Sequence, residues 1–455
     1  MGLLMSDGLN HEPVDITDVN GTERIGIVVS RPDSASVHIG EHLLEIREWD
    51  QVAEGHYRIP GFELREFDEW HLELENVASA FGDVSFLVVA SRHSGETGPL
   101  LSAHFTGNFG EAEYGGAAGE LARACPGALK RAIEALDEHA PPHYDVAMEC
   151  THHGPTAYGA PAMYVELGSG PEEWDDQAGA RAVASSILAL EGVPPMAERT
   201  LAAFGGAHYA PRPTRILRET EFAVGHVAAD WSLDALGDPE EHRDVLEQMF
   251  EKSGASCAIF EETHPALEEV VRDLGYRVVS ETWVRETSGL DPDVVEDLEI
   301  ALSRVEDGLR FGNGAAADGA GSFLVVDLPH ELIEECHGID RGETVSVVDR
   351  HTIAYETTER GNRVGKRAAV RGTEAYDAIV DGLIEILETR YETVRKAGDE
   401  IEAERMTFDP ALAAEEGVPE GPKFGRLANG EPVEVDGETV EPETVETREI
   451  RRFRV

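Results

Sequence analysis

Histidine stands at the end of an apolar run in three places: Ser91-Arg92-His93, Glu149-Cys150-Thr151-His152-His153-Gly154-Pro155, and Gly205-Gly206-Ala207-His208-Tyr209-Ala210-Pro211. His104 ends a fourth such run. Imidazole and carboxylate suit zinc, and an ion with an open coordination position lowers the pKa of water toward ~7 and makes hydroxide available as a nucleophile. A metal site is therefore the first reading, with His93, His104, His152 and His208 as candidate ligands. One ion or two would satisfy this set. Among 18 histidines, each taken singly has an ordinary core or surface role as its alternative.

Successive side chains of a strand point to opposite faces, so His152 and His153 cannot both aim at one ion from regular strand. One of them must occupy the turn closed by Gly154-Pro155, or the two have different tasks. Glu149, Thr151 and His153 share a face while the extension persists. They form the candidate catalytic group, with Glu149 also able to orient an imidazole.

Five further residues are candidate substrate or nucleic-acid contacts. Gly205 and Gly206 let backbone approach a ligand. Arg212 and Arg215 follow His208 closely enough to reach phosphates, or they form a solvated basic strip. Ser169 opens a tight loop before Pro171, where capping by Glu172 or Glu173 competes with anion binding. Basic islands at Arg350 to Arg371 and at Arg448, Arg451, Arg452 and Arg454 are the other possible nucleic-acid footprints, with ordinary salt bridging as their alternative.

Strands are expected at 24–30, 84–90, 100–105, 144–149, 162–167, 200–204 and 221–227, where short β-branched runs end in turn formers. Helical patterns at 117–139, 171–191 and 239–252 lie between them. This alternation predicts an α/β fold: a three-layer α/β/α core with a mixed, mainly parallel sheet. Ligands of such sheets bind outside the carboxyl ends of the strands, where these histidines are expected. Residues 1–22 read as an acidic tail, 23–310 as the catalytic core, and 311–322 as a Gly/Ala linker. Residues 323–455 form a smaller α+β unit, with an apolar strand at 323–328 and a long amphipathic helix carrying Tyr376, Ile379, Leu383, Leu387, Tyr391 and Val394.

With 90 acidic residues against 38 basic ones, the 455-residue chain has a formal charge of -52, yet its hydrophobic content is 41%. Disorder combines high charge with low hydrophobicity, so a folded protein of a halophilic cytosol fits better. There the Debye length is ~3 Å at 1 M salt, and self-repulsion is screened. Acidity then says little against nucleic-acid binding. Four scattered cysteines form no Cys-x-x-Cys pair, no apolar run approaches the ~20 residues of a membrane span, and the start lacks a basic n-region. A reduced, cytoplasmic protein without membrane attachment or an obligate protein partner is expected.

In order, Ile27-Val28-Val29-Ser30 with Ala35-Ser36-Val37, Ser91-Arg92-His93-Ser94, His104-Phe105-Thr106-Gly107-Asn108, Glu149 to Thr156, Glu166-Leu167-Gly168-Ser169 with Trp174, Gly205 to Arg212 and Gly225-His226 resemble the archaeal and plant type of D-aminoacyl-tRNA deacylase. The resemblance covers roughly residues 23 to 310. It implies a zinc-dependent hydrolase of translation quality control, with a phosphorylase/hydrolase-like core. Its substrate would be the ester joining a D-amino acid to the terminal ribose of tRNA. An aminoacyl ester is activated, so metal-activated water suffices without a Ser or Cys nucleophile. Two alternatives stay open: a metallohydrolase of the same fold acting on a small peptide or nucleoside-like molecule, and a non-catalytic tRNA-binding protein. Residues 417–427 and 430–433 resemble a short segment of ribonuclease Z proteins, which also act on tRNA, so the C-terminal unit is expected to help hold tRNA.

Overall fold

The computed structural model describes residues 24–315 and 322–455. The expected acidic tail and the middle of the expected linker lie outside the described residues. Packing divides the chain into two compact units at Val279/Ser280, ahead of the Gly/Ala-rich segment.

The first unit is built on an eight-stranded sheet. Its strands are β1 Arg24–Ser30, β2 Asp50–Ala53, β3 His56–Ile59, β4 Phe62–Phe67, β5 Val84–Arg92, β6 Leu100–His104, β7 Asp145–Met148 and β8 Ala162–Gly168. They lie in the order β2-β3-β4-β1-β5-β8-β6-β7. Pairing is parallel from β4 through β1 and β5 to β8. It turns antiparallel where β8 meets β6, and β7 follows β6 in parallel. The strands β1, β5 and β8 are buried along nearly their whole length, as expected for runs covered on both faces.

Helices α1 Ser34–Ile46, α2 Pro126–His139, α3 Pro171–Trp174 and α4 Gln177–Leu188 pack beside the sheet. Asp33 caps α1 by accepting the Ala35 N–H, and Pro126 opens α2 at its first turn. The predicted helix 117–139 therefore loses its first turns, because proline starts a helix far more readily than it continues one. The predicted helix 171–191 is divided at Asp176, whose carboxylate caps α4 through the Ala178 N–H.

A second sheet of the same unit joins β9 Thr200–Phe204, β10 Ala223–Ala228, β11 Cys257–Phe260 and β12 Arg277–Val279, all in parallel, in the order β10-β9-β11-β12. Between β9 and β10 runs α5 Pro211–Glu219. The chain after β7 ties the two sheets together: Cys150 N–H donates to His208 O at 2.8 Å, and Thr151 N–H to Val227 O at 2.8 Å.

In the second unit a four-stranded antiparallel sheet, containing Leu324–Asp327 and Arg363–Val370, is covered by helices His330–Ile339, Arg341–His351 and Thr373–Glu388. The last of these buries Ile379, Val380, Leu383, Ile386 and Leu387. It ends before Tyr391, and Val394 already belongs to the strand Thr393–Ala397. The segment resembling ribonuclease Z forms the short helix Pro422–Ala428 and the hairpin strand Val433–Val435, with Val418, Leu427, Val433 and Val440 in a small core. The C-terminal arginines face carboxylates: Arg448 pairs with Glu404, Arg451 with Glu335, Arg452 with Glu402 and Arg454 with Asp399.

Candidate active site

The apolar run of β7 ends at Met148, and the next residues leave the strand. Glu149 is fully buried there. Its Oε2 accepts a hydrogen bond from His208 Nε2 at 2.7 Å, and its Oε1 lies 3.2 Å from His93 Nδ1 without hydrogen-bond alignment. Glu166, in the middle of β8, is the second buried carboxylate. Its Oε1 accepts from Ser91 Oγ at 2.7 Å and lies 3.5 Å from His104 Nε2, while its Oε2 lies 3.5 Å from His93 Nδ1.

His152 and His153 both reach the cluster because the chain has left the strand. His153 sits at φ 41, in the left-handed region, so the pair escapes the alternation of side chains. The His152 ring stacks on His104 at 4.3 Å between centroids, and the His153 ring stands edge-on to His104 at 4.9 Å.

Three rings share one hydrogen-bonding pattern. His104 Nδ1 donates to Phe105 O at 3.0 Å, His152 Nδ1 to Cys150 O at 2.8 Å, and His153 Nδ1 to Gly154 O at 2.7 Å. A carbonyl only accepts, so each neutral ring carries its proton on Nδ1 and presents a bare Nε2 lone pair. The buried His104 Nε2 makes no hydrogen bond, nor does Glu149 Oε1.

Electrostatics divides the histidines into two kinds. Burial opposes charge on His93, but Glu149 and Glu166 outweigh it and push that imidazole up to about 11. Burial likewise opposes charge on His104, and Glu166 overcomes it and raises the ring above its ordinary value. Burial, reinforced by His104 and His153, holds His152 well below the ordinary range, and burial with His104 takes His153 down to about 3. Burial would raise the Glu149 carboxyl, but His208 and His93 prevail and hold it well below the usual carboxylate range.

Three groups of donor atoms lie within 4.8 Å of one another: His104 with His152 and His153, Cys150 with His152 and His208, and His93 with Glu149 and Glu166. All four histidines expected as ligands are in this cluster, distributed over the three groups. Imidazoles oriented through Nδ1, buried carboxylates and unpaired donor atoms fit a divalent metal. The cluster opens into a cavity of about 1010 Å³ that His93, His152, His153 and His208 help to line.

The other expected residues lie elsewhere. Thr151 is buried, and its hydroxyl belongs to a closed chain: it accepts the Val227 N–H at 3.1 Å and donates to His226 Nδ1 at 3.0 Å, while His226 Nε2 donates to Ala122 O at 3.0 Å. Gly205 and Gly206, at φ 88 and 87, have their amides taken by Ala228 O and Asp230 Oδ1. Arg212 bonds Phe260 O at 2.6 Å and faces Glu261 at 3.1 Å. Arg215 lies on α5. The Ser169 hydroxyl meets Thr97, and Glu173 accepts the Gly170 N–H at 2.8 Å as a cap. None of these six lines the cavity.

Glu166 is the site carboxylate that spacing arguments passed over. Its signal was a lone acid inside a predicted strand that is otherwise apolar. Because β6 and β7 run against β8, the cluster does not gather beyond one set of carboxyl ends. It converges on Glu166 from both directions.

A family profile described as D-aminoacyl-tRNA deacylase matches residues 80–279. The D-aminoacyl-tRNA deacylase of Halobacterium salinarum is 52% identical over 429 residues, 94% of this chain and 94% of that one. The chain belongs to the D-aminoacyl-tRNA deacylase family. The namesake of Haloarcula marismortui is 48% identical, covering 94% of this chain and 99% of its own. That of Methanococcoides burtonii is 30% identical over 93% of this chain. These matches take in the second unit as well as the first. The crystal structure of a conserved protein of unknown function, AF0625, superposes with a TM-score of 0.54 at 27% identity, covering 98% of that chain and 58% of this one.

Proposed function

We propose that this protein hydrolyses the ester of D-aminoacyl-tRNA, releasing the D-amino acid and tRNA, in a reaction supported by zinc at the histidine–carboxylate cluster. The observation that carries the metal reading is the set of three rings that are oriented by Nδ1–H bonds to backbone carbonyls and whose donor atoms lie within 4.8 Å of one another. His104, His152 and His153 would hold one ion, and Cys150 with His208, or His93 with Glu149 and Glu166, offers a place for a second. When bound, zinc supplies a Lewis acid and acidifies water.

The chain's own groups account for the remaining work. Glu149 orients His208 through the 2.7 Å bond and leaves its ring at the cavity wall. The Cys150 sulfur, 3.6 Å from His208 Nδ1, fixes the other side of that ring. With no second ion on it, His93, charged between two carboxylates, would place a cation beside the cavity, where negative charge develops on the ester oxygen. Burial of both carboxylates keeps water from weakening these contacts.

The family membership supports tRNA as partner and the cytoplasm as place of work. Among the described residues no helix is long and apolar enough to cross a membrane. The formal charge of -52, with relatives in Halobacterium salinarum and Haloarcula marismortui, supports a salt-rich interior.

The test is release of tyrosine from D-tyrosyl-tRNA and L-tyrosyl-tRNA in molar KCl, with and without a chelator, together with elemental analysis of the purified protein. Fast, chelator-sensitive loss of the D ester alone is expected. Hydrolysis of a free D-tyrosine ester with indifference to tRNA would replace the proposal by a small-molecule hydrolase, and absence of turnover with zinc loaded would leave a tRNA-binding protein.

A further inference from the structure

Arg92 ends β5, one residue before His93, and lines the cavity. Its guanidinium centre lies 4.6 Å from the Trp70 ring centroid and 4.4 Å from that of Trp174, so it is held between two aromatic faces. Both ends of this clamp are fixed. The Arg92 N–H donates to Asp33 Oδ2 at 2.9 Å, and the Trp174 indole N–H donates to His93 O at 2.8 Å. Asp33 is thereby engaged by backbone amides.

Among the described residues this guanidinium forms no close ion pair, although its charge lowers the buried Asp33 carboxyl against the effect of burial, in a chain with 90 acidic side chains and 38 basic ones. Among the described residues lining the cavity, Arg92 is also the one Lys or Arg. Stacking occupies the faces of a guanidinium and leaves its edge, with its fork of N–H donors, for an anion. Across the same cavity Trp231 and Tyr114 are 49% and 65% exposed, an unusual display for large aromatic rings. The Trp231 ring lies 6.5 Å from that of His208, nearly parallel to it.

We infer that the cavity holds the 3′-terminal nucleotide of the tRNA, with its phosphate on Arg92 and its base stacked on Trp231. A cation for the phosphate and an aromatic face for the base are what a single-stranded end requires, and stacking tolerates the salt that screens charge. The inference rests on the deacylase reading and adds to it a binding site for the substrate's nucleotide.

The experiment is calorimetric binding of adenosine and of adenosine 5′-monophosphate to the full-length, metal-loaded protein in molar KCl, alongside D-tyrosyl-tRNA turnover. The monophosphate is expected to bind about tenfold more tightly, the order of one charge-assisted hydrogen bond. Arg92→Gln should abolish that preference while adenosine binding persists. Arg92→Lys, which keeps charge and loses the planar stack, should retain part of it. Trp231→Ala should weaken both ligands about tenfold and leave their ratio intact. A preference that survives Arg92→Gln, or an equal loss of both ligands in that variant, overturns the inference. Calorimetry needs no turnover, so failure of the deacylase reading would show separately, as intact D-tyrosyl-tRNA.

Discussion

Replacing Thr151 by valine keeps the shape of the side chain and removes the hydroxyl that links Val227 to His226. Two buried groups then lose their partners: the Val227 N–H loses its acceptor at 3.1 Å, and the accepting His226 Nδ1 loses its donor at 3.0 Å. Each unsatisfied buried group costs about 1–3 kcal/mol, and one pocket shared by both makes the sum sub-additive, so about 2–4 kcal/mol is expected. For the first unit this is a fall in Tm on the order of 10 °C. Thr151→Ser keeps the hydroxyl and loses a methyl group, which costs about 1 kcal/mol. The assay is thermal unfolding in molar KCl, with kcat for D-tyrosyl-tRNA measured well below the transition. If Thr151 positions the segment leading to His152, stability falls in the valine variant and kcat falls by no more than a few fold. Undiminished stability with kcat reduced a hundredfold or more would refute this reasoning and give Thr151 a chemical role.

Four other outcomes follow from the structure. Burial pushes His226 from 6.5 down to about 4, so below pH 6.5 the unfolded chain takes up a proton that the folded one refuses, and stability falls toward pH 4 by about 3 kcal/mol. Asp33, pushed up to about 6 mainly by burial, acts in the opposite sense there, so the quantity to measure is the stability difference between the protein and His226→Gln at pH 7 and 4.5; a difference that does not move with pH would contradict the assignment. Gly154→Ala places a Cβ 2.2 Å from the Gly115 carbonyl carbon and 2.3 Å from Gly116 N, both backbone, and should cost about 2 kcal/mol or more; an unchanged Tm would show that the His153 turn is not tightly enclosed. Cys125, Cys150, Cys257 and Cys336 are all buried, so a thiol reagent should label native protein slowly and four equivalents after denaturation. Arg448, Arg451 and Arg452 face glutamates, so replacing all three by glutamine should leave tRNA affinity within twofold in a filter-binding assay, and a tenfold loss would restore them as a phosphate contact.

Periodicity located most strands of the first unit because they are buried runs with little competition from polar residues. The strand Thr200–Phe204 and the strand Arg24–Ser30 occupy the positions expected of them. The hairpin of β2, β3 and β4 was not legible, since its residues alternate charged and apolar types around glutamates and arginines. There the stabilising contacts are ion pairs of Glu63 with Arg58 and Arg65, which no hydropathy pattern displays. The direction of β6 was also hidden. A strand that enters antiparallel beside β8 has the same composition as one that enters in parallel.

That single reversal decides what could be read of the site. The histidines were legible because each ends an apolar run, and strand ends are where side chains escape the sheet. Glu166 was not, because a buried acid within a strand reads as an edge or a mistake until the neighbouring strands are known. With β6 antiparallel, Ser102 and Ser91 stand opposite Glu166 on its two sides, so the carboxylate is flanked by small polar residues that make its burial tolerable. His104 then approaches Glu166 from one end of β8 and His93 from the other. Glu166→Gln is the substitution that tests whether this acid organises the cluster. It would remove a charge that raises both His93 and His104 and give the Ser91 hydroxyl a weaker acceptor to donate to. Because Glu149 still contacts His93, a partial fall of the His93 pKa is expected, read by NMR titration of the ring in the metal-free protein. An unchanged His93 titration in Glu166→Gln would mean that Glu149 alone sets the charge, and that β8 contributes a scaffold without electrostatic control.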